Sequence, residues 1–466
     1  MPSPHGPGLG ASDMNLTSGW LPITLQILTL VVLVAAIGWR TPQWRTRWVP
    51  IAIGAGVAFA VIVRLFVKFQ GWSDRAASTA TVVWVAITGV AIAIAVLGWR
   101  DAAWWRRSLS ILAVPLSVVC AAAALNTATG YFPTVQSAWQ RLTGTESPQW
   151  IDEETLAAMR RDGERPTRGT IVKITTPDNV SGFKHRQELV YLPPAWFASD
   201  PPPQLPAVMA LGGEFSHPED WPESGGALKT LDEFTARHHG NAPVMVFPDS
   251  TGSFSNDTEC VNGPRGNAAD HLTKEVVPYV VSKFGVSTDP ANWGLVGWSS
   301  GGTCALTLAV THPELFSAFV DLDGQLGPNT GTKQQTIARL YGGDAEAWAA
   351  FDPQTVILEH GQFPGMAAWL GVSDDTPTVY RPAGDRPPAP EEIADWDPYS
   401  EEHAENAKKL CALLSGHGVE CSVSSYSGSH DFPSAGEGFA AALPWLAGKL
   451  GTPGVPVTPM PGASEG

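Results

Sequence analysis

Basic side chains are scarce in this chain: 29 Lys and Arg stand against 45 Asp and Glu over 466 residues, a formal net charge of −16. The scarcity is uneven. Residues 1–128 hold nine Lys/Arg against three acids, a balance of +6, so the rest of the chain carries −22. Phosphate binding needs clustered Lys and Arg, so this acidic part argues against nucleic acid as a partner and against polyanionic substrates. The first 20 residues contain no Lys or Arg. They therefore lack the basic region of a cleaved signal peptide. Metal-ligand spacing is missing too: neither His217 with Glu219 and Asp220 nor the pair His238-His239 has a convincing ligand pattern, and both read as solvated surface. The chain shows no internal repeat.

Long apolar runs are what the N-terminal part has in quantity, at 21–39, 49–67, 79–98 and 108–127. Each is close to the roughly 20 residues that cross a bilayer as a helix. None has a polar face to offer water, which excludes ordinary soluble helices. Arg40, Arg45 and Arg47 lie in one loop, and Arg100, Arg106 and Arg107 in another. Both loops are expected on the cytoplasmic side. Four spans with both termini outside follow, so residues 1–128 read as a four-span transmembrane region. Trp39, Trp44, Trp48, Trp99, Trp104 and Trp105 flank the spans as an aromatic belt would.

Residues 129–168 read as a polar linker with one short amphipathic helix near 152–161. From Gly169 the pattern turns to strands. The segments 169–176 and 187–193 alternate and read as an antiparallel pair. Short continuous apolar runs follow at 206–211, 243–248, 294–297, 318–322, 367–372 and 421–426. Helical patterns separate them at about 226–238, 267–283, 300–312, 399–415 and 435–449. Such alternation means an α/β domain over 169–450, with a mostly parallel sheet covered by helices on both faces and its active site at the carboxyl ends of the strands. The Pro- and Gly-rich tail, 451–466, is expected to be disordered. Cysteine is rare, with five in all. Cys120 falls in the fourth apolar run. The other four allow three pairings, of which Cys411 with Cys421 across a short loop, leaving Cys260 with Cys304, suits an oxidising exterior.

The stretch Asn292–Val310 reads as a buried strand turning sharply into a helix, with Gly297-Trp298-Ser299-Ser300-Gly301 at the turn. A nucleophile on so tight an elbow needs small residues two before and two after it, where strand and helix cross. Ser299 then projects above the sheet, and the Ser300 amide points to where an oxyanion would form. A serine hydroxyl needs a base, itself oriented by a carboxylate. His430 lies just past the last expected strand, where that base belongs; His312, His403 and His417 read as capping or solvated residues. For the carboxylate, Asp374 is the first choice because it follows the penultimate strand directly. Asp375 is next to it, and Asp321 and Asp323, one strand earlier, are alternatives. A second oxyanion donor is expected from the amide of Gly213 or Glu214, in the loop after the 206–211 strand.

Gly182-Phe183 through Tyr191-Leu-Pro-Pro194, Leu211-Gly-Gly213, the segment His271–Pro278, Gly297–Gly302 and Gly428-Ser-His430 together resemble the esterase family of α/β hydrolases. That family includes esterase D (S-formylglutathione hydrolase), feruloyl esterases and the secreted mycolyltransferase antigens. The resemblance covers roughly 168–449. It implies the α/β hydrolase fold, Ser299 as nucleophile, His430 as base, a carboxylate after the penultimate strand, and no metal or organic cofactor. Mycolyltransferases follow the oxyanion glycine with an arginine; here Glu214-Phe-Ser-His217 follows instead. The expectation is a membrane-anchored, extracytoplasmic serine esterase working through an acyl-enzyme. An acyltransferase moving an acyl group to a cell-envelope sugar or lipid would use the same residues, and a non-catalytic envelope scaffold is the remaining alternative.

Overall fold

The computed structural model of the protein describes residues 14–461 apart from 40, 72–77, 101, 144–149, 375, 377–378, 383–387, 395, 397–399 and 401. The chain divides into two units, Met1–Thr145 and Glu146–Gly466. Within the stretch expected to be linker, helix Val135–Thr143 falls in the first unit, and a strand and a helix fall in the second.

Among its described residues the first unit contains four apolar helices: α1 (Trp20–Ala36), α2 (Val49–Gln70, entered through a π turn at Trp44–Trp48), α3 (Thr79–Gly98) and α4 (Trp104–Thr129). Among the described residues, three are long and apolar enough to cross a membrane: Trp44–Gln70, Thr79–Gly98 and Trp104–Thr129. α1 is shorter, at 17 residues. Its helix ends because Ile37 turns extended (φ −73°, ψ 140°). The next residue, Gly38, has no room for a side chain, since an added Cβ would lie 2.7 Å from the Trp44 ring. The expected run to Trp39 therefore overshoots the helix. α2 and α3 meet through glycine: a Cβ on Gly89 would come within 2.9 Å of the Gly56 Cα, and one on Gly56 within 2.5 Å of the Ala86 carbonyl. Small residues at such crossings let apolar helices approach closely where no hydrophobic force drives them together. Ile27, Val31, Val57, Val61, Leu65 and Phe66 are exposed. An apolar exterior of this kind suits lipid rather than water.

The second unit is built on a ten-stranded sheet. Its strands are β1 (Trp150–Ile151), β2 (Thr170–Ile174), β3 (Glu188–Leu192), β4 (Ala207–Leu211), β5 (Val244–Phe247), β6 (Trp293–Trp298), β7 (Ala318–Leu322), β8 (Ala367–Ser373), β9 (Val379–Tyr380) and β10 (Glu420–Tyr426). Their order is β1-β2-β3-β5-β4-β6-β7-β8-β10-β9. β5-β4-β6-β7-β8-β10 run parallel, β2-β3-β5 and β9-β10 antiparallel. β4, β5 and β6 are buried throughout and carry no charged residue because both faces are covered. Trp293 and Leu295 belong to the core beneath the elbow helix Ser300–Thr311, labelled α5 here. Gly294, between them, points the other way, where a Cβ would touch Leu446 and Leu450 at the end of the last helix. The final helices are α6 (His403–Gly416) and α7 (Phe432–Lys449). Disulfides join Cys260 to Cys304 of α5 and Cys411 of α6 to Cys421 of β10. The tail does not run free from Gly451. Met460 is buried. Ser422 Oγ donates to the Pro461 carbonyl at 2.8 Å. A Cβ on Gly448 would meet the Pro456 carbonyl at 2.3 Å, so the helix end is shaped to take the returning chain.

A buried ionic knot ties β3 to the helical segment after β5. The His271 ring lies between two carboxylates, Nε2 3.0 Å from Glu188 Oε1 and Nδ1 2.9 Å from Glu275 Oε2, with all three side chains essentially inaccessible. Glu275 also accepts from the Val180 and Ser181 amides and the Ser181 hydroxyl. Burial alone would push the His271 pKa down, but the two carboxylates raise it above its ordinary value. Burial likewise works against the charged Glu275, but the Ser181 and His271 contacts hold its pKa below the usual range. The stabilisation is therefore complete only at intermediate pH. The His271 contribution is lost as pH rises through its raised pKa, and that of Glu275 as pH falls through its lowered one. Removing one partner strands buried charge, so His271→Ala is expected to destabilise the unit by about 3–5 kcal/mol in guanidinium unfolding. A change under about 0.5 kcal/mol would contradict this account of the knot.

Candidate active site

The site begins with backbone geometry. β6 ends at Trp298 and α5 starts at Ser300, so Ser299 carries the whole reversal, at φ 58° and ψ −125°. A non-glycine residue rarely tolerates such angles. A Cβ on Gly297 would sit 1.8 Å from the Gly301 carbonyl, and one on Gly301 2.3 Å from the Leu211 carbonyl at the end of β4. Both elbow positions must be glycine, and the contact with Leu211 brings the β4 loop to the nucleophile's side. There Gly213 abuts Ser299, since an added Cβ would lie 3.3 Å from the serine Cβ. The loop is held in a turn by Ser216, whose amide and hydroxyl donate to the Gly213 carbonyl. The structure thus places Ser299, Ser300, Gly213 and Glu214 at one end of the sheet.

His430 lies in the loop between β10 and α7. Its Nε2 is 3.0 Å from Ser299 Oγ. Its Nδ1 is 3.3 Å from Asp323 Oδ2. With the Nδ1 proton directed at the carboxylate, Nε2 is left to accept the serine proton. The Trp298 ring packs against the imidazole at 5.0 Å between centroids. Asp431, the next residue, caps α7 by accepting from the Ser434 amide at 2.8 Å, which fixes the loop behind the histidine.

The carboxylate facing His430 is Asp323, not Asp374. Asp323 follows β7 directly and is 1% exposed. Tyr426, the last residue of β10, donates its hydroxyl to Asp323 Oδ2 at 2.7 Å. The Ser373 amide donates to Oδ1 at 2.8 Å. Burial alone would push the Asp323 pKa up, but His430 and the Ser373 amide hold it down to about 2. Asp374 is exposed past the end of β8, its Oδ1 accepting from the Thr376 amide at 2.9 Å. That is an Asx turn, with the carboxylate spent on local backbone. Asp375 lies outside the described residues. Asp321 is buried on β7 with its carboxyl against the elbow helix, where a Cβ on Gly302 would meet its Oδ1 at 2.1 Å. Burial, with the Asp323 charge beside it, pushes its pKa up to about 8.

Two neighbours are not evident from the sequence. Tyr426 reads there as an ordinary strand aromatic. His403, expected as a capping or solvated residue, is buried and its ring stacks on His430. The sequence does hold one usable signal for Asp323, the glycine directly after it, and the structure finds Asp323 at φ 52°, a left-handed conformation that Asp tolerates better than most residues. Among the described residues, His185, Glu188 and His271 bring metal-type ligand atoms within 4.8 Å of one another. Both His271 nitrogens there face carboxylates, so the ring serves the ionic knot.

A family model described as "Putative esterase" matches residues 184–446. An uncharacterized protein of Corynebacterium glutamicum is 34% identical over 262 residues, 55% of this chain and 61% of its own. The S-formylglutathione hydrolase of Paracoccus denitrificans is 26% identical over 170 residues, 35% of this chain and 59% of its own. The chain thus spans about six-tenths of the length of these curated relatives. Solved structures that resemble it include an S-formylglutathione hydrolase from Agrobacterium tumefaciens (16% identity, TM-score 0.45, 61% of this chain and 95% of that one). A ferulic acid esterase is similar at 17% identity and TM-score 0.45, over 60% of this chain and 99% of its own.

If Asp323 orients the base, Asp323→Ala should lower kcat/KM for an activated ester by about 10³–10⁴-fold, the scale on which losing a triad carboxylate is felt. Asp374→Ala should stay within about twofold of wild type, as its carboxylate serves only a turn. The reverse ranking would return the role to Asp374.

Proposed function

We propose a reaction and a location from one premise: this chain belongs to the esterase family whose model it matches, hydrolases that act on esters. The observation that carries the proposal is one imidazole within hydrogen-bond reach of both the elbow serine and a buried carboxylate. Ser299 Oγ attacks the ester carbonyl while its proton passes to His430 Nε2. Asp323 holds the ring in the tautomer that can accept it and stabilises the imidazolium that forms. The carbonyl oxygen, now an oxyanion, is met by the Ser300 amide at the start of α5 and by the Gly213 or Glu214 amide. His430 returns the proton to the leaving alcohol, giving an acyl-enzyme on Ser299. Water, activated by the same imidazole, then releases the acid and restores the serine. An acceptor hydroxyl in the water's place would make the enzyme an acyltransferase with no change of residues.

The location rests on the first unit and on the disulfides. Three helices have the length and composition of spans. α1, flanked by Trp20 and Trp39, supplies a fourth, since a bilayer thins to meet a short apolar helix at modest cost. Arg40, Arg45 and Arg47 between α1 and α2, and Arg100, Arg106 and Arg107 before and in the first turn of α4, then belong in the cytoplasm, which leaves the second unit outside. Two disulfides in that unit suit an oxidising exterior.

One experiment addresses both. A membrane-impermeant fluorophosphonate applied to intact cells should label the full chain at Ser299, and Ser299→Ala should abolish the label. Labelling only after lysis would reject the outward placement, and no labelling of either preparation would reject the serine-enzyme reading.

A further inference from the structure

His403 is the first residue of α6, far along the chain from the elbow, yet it is tied to two parts of the site at once. Its ring lies on that of His430, with centroids 4.9 Å apart and planes inclined by 13°. Its Nδ1 lies 3.0 Å from the Gly324 carbonyl and donates to it. Gly324 directly follows Asp323, whose left-handed backbone conformation is not one it would keep without support. The side chain is 9% exposed, so both contacts are made inside the protein.

We propose that His403 is a positioning residue: its ring holds the His430 imidazole in the one orientation that reaches both Ser299 and Asp323, and its hydrogen bond to Gly324 fixes the peptide that presents the Asp323 carboxylate. The inference rests on the serine-esterase reading. The physical need is clear. A histidine side chain in a loop has several staggered rotamers open to it, and only one spans Ser299 Oγ and Asp323 Oδ2. A flat partner at stacking distance restricts rotation of the ring without competing for either nitrogen. Misplacement by about 1 Å costs on the order of 10²-fold in rate, which sets the scale of the expected effect. His403 transfers no proton and touches no reacting atom, so its loss should slow the base and leave ground-state binding alone.

The two contacts can be removed separately in the full chain. His403→Phe keeps a flat ring and loses the bond to Gly324; His403→Asn keeps a donor near the Nδ1 position and loses the stack; His403→Ala loses both. Rates are measured per active site titrated with a fluorophosphonate, so that any unfolded fraction drops out. For hydrolysis of a p-nitrophenyl ester, His403→Ala is expected to lower kcat about 10–100-fold with KM within about threefold, and to slow phosphonylation of Ser299 in parallel. Phe and Asn should each recover part of the loss. Rates per site within twofold of wild type for Ala, or for Phe and Asn should Ala not fold, would overturn the inference, as would a loss confined to KM. A wild-type chain that does not react with the probe would instead overturn the esterase reading, and the inference with it.

Discussion

The hydrogen bond between the Asp323 carboxylate and His430 is the constraint on which the site depends, and most of the surrounding structure makes it possible. A carboxylate taken out of water costs several kcal/mol unless its oxygens are matched by donors. Here the Tyr426 hydroxyl, the Ser373 amide and the His430 imidazole supply them. Tyr426 closes β10, Ser373 closes β8 and Asp323 follows β7, so the ends of three neighbouring strands must be brought together. The parallel register does that, pairing Leu322 with Gly371 and Ser373 with Tyr426. Asp321, two residues back, has fewer such donors, and burial raises its pKa instead of leaving it low.

Ser299 depends on constraint of a different kind. Its backbone stays at a positive φ only because glycines on either side let β6, α5 and the end of β4 interpenetrate. The disulfide from Cys304 to Cys260 pins that helix to the loop after β5. The ionic knot around His271 secures β3 to the segment that follows the same loop. Rigidity beneath the elbow and precision above it are consequences of one arrangement.

Much of this is legible in the sequence. The elbow can be read because a strand, a sharp turn and a helix with small residues two before and two after a serine form a pattern that ordinary loops seldom need. His430 can be read because a base must follow the last strand. The alternation of apolar runs and helical patterns indicates the parallel sheet, and separation along the chain suggests which cysteines pair. Asp323 is harder. β7 and β8 are neighbours and each is followed directly by an aspartate, so Asp323 and Asp374 look alike from the chain alone, and what distinguishes them is a tyrosine contributed by β10. His403 is hidden for a related reason: helical periodicity gives the face a residue lies on, not the ring from a distant loop that lies across it. In the first unit, composition marks the apolar runs but not where α1 stops, which is at the extended Ile37.

The most direct measurement of the central claim is the proton NMR spectrum of the full chain in detergent, observed far downfield of the amide region. A histidine Nδ1 proton held by a buried carboxylate resonates there when exchange with water is slow. Besides the signals of His271 in the buried knot, which none of these substitutions touches, one such signal is expected, vanishing in Asp323→Asn and His430→Gln and persisting in Asp374→Asn. A signal that survives Asp323→Asn and is lost in Asp374→Asn would contradict the pairing of Asp323 with His430.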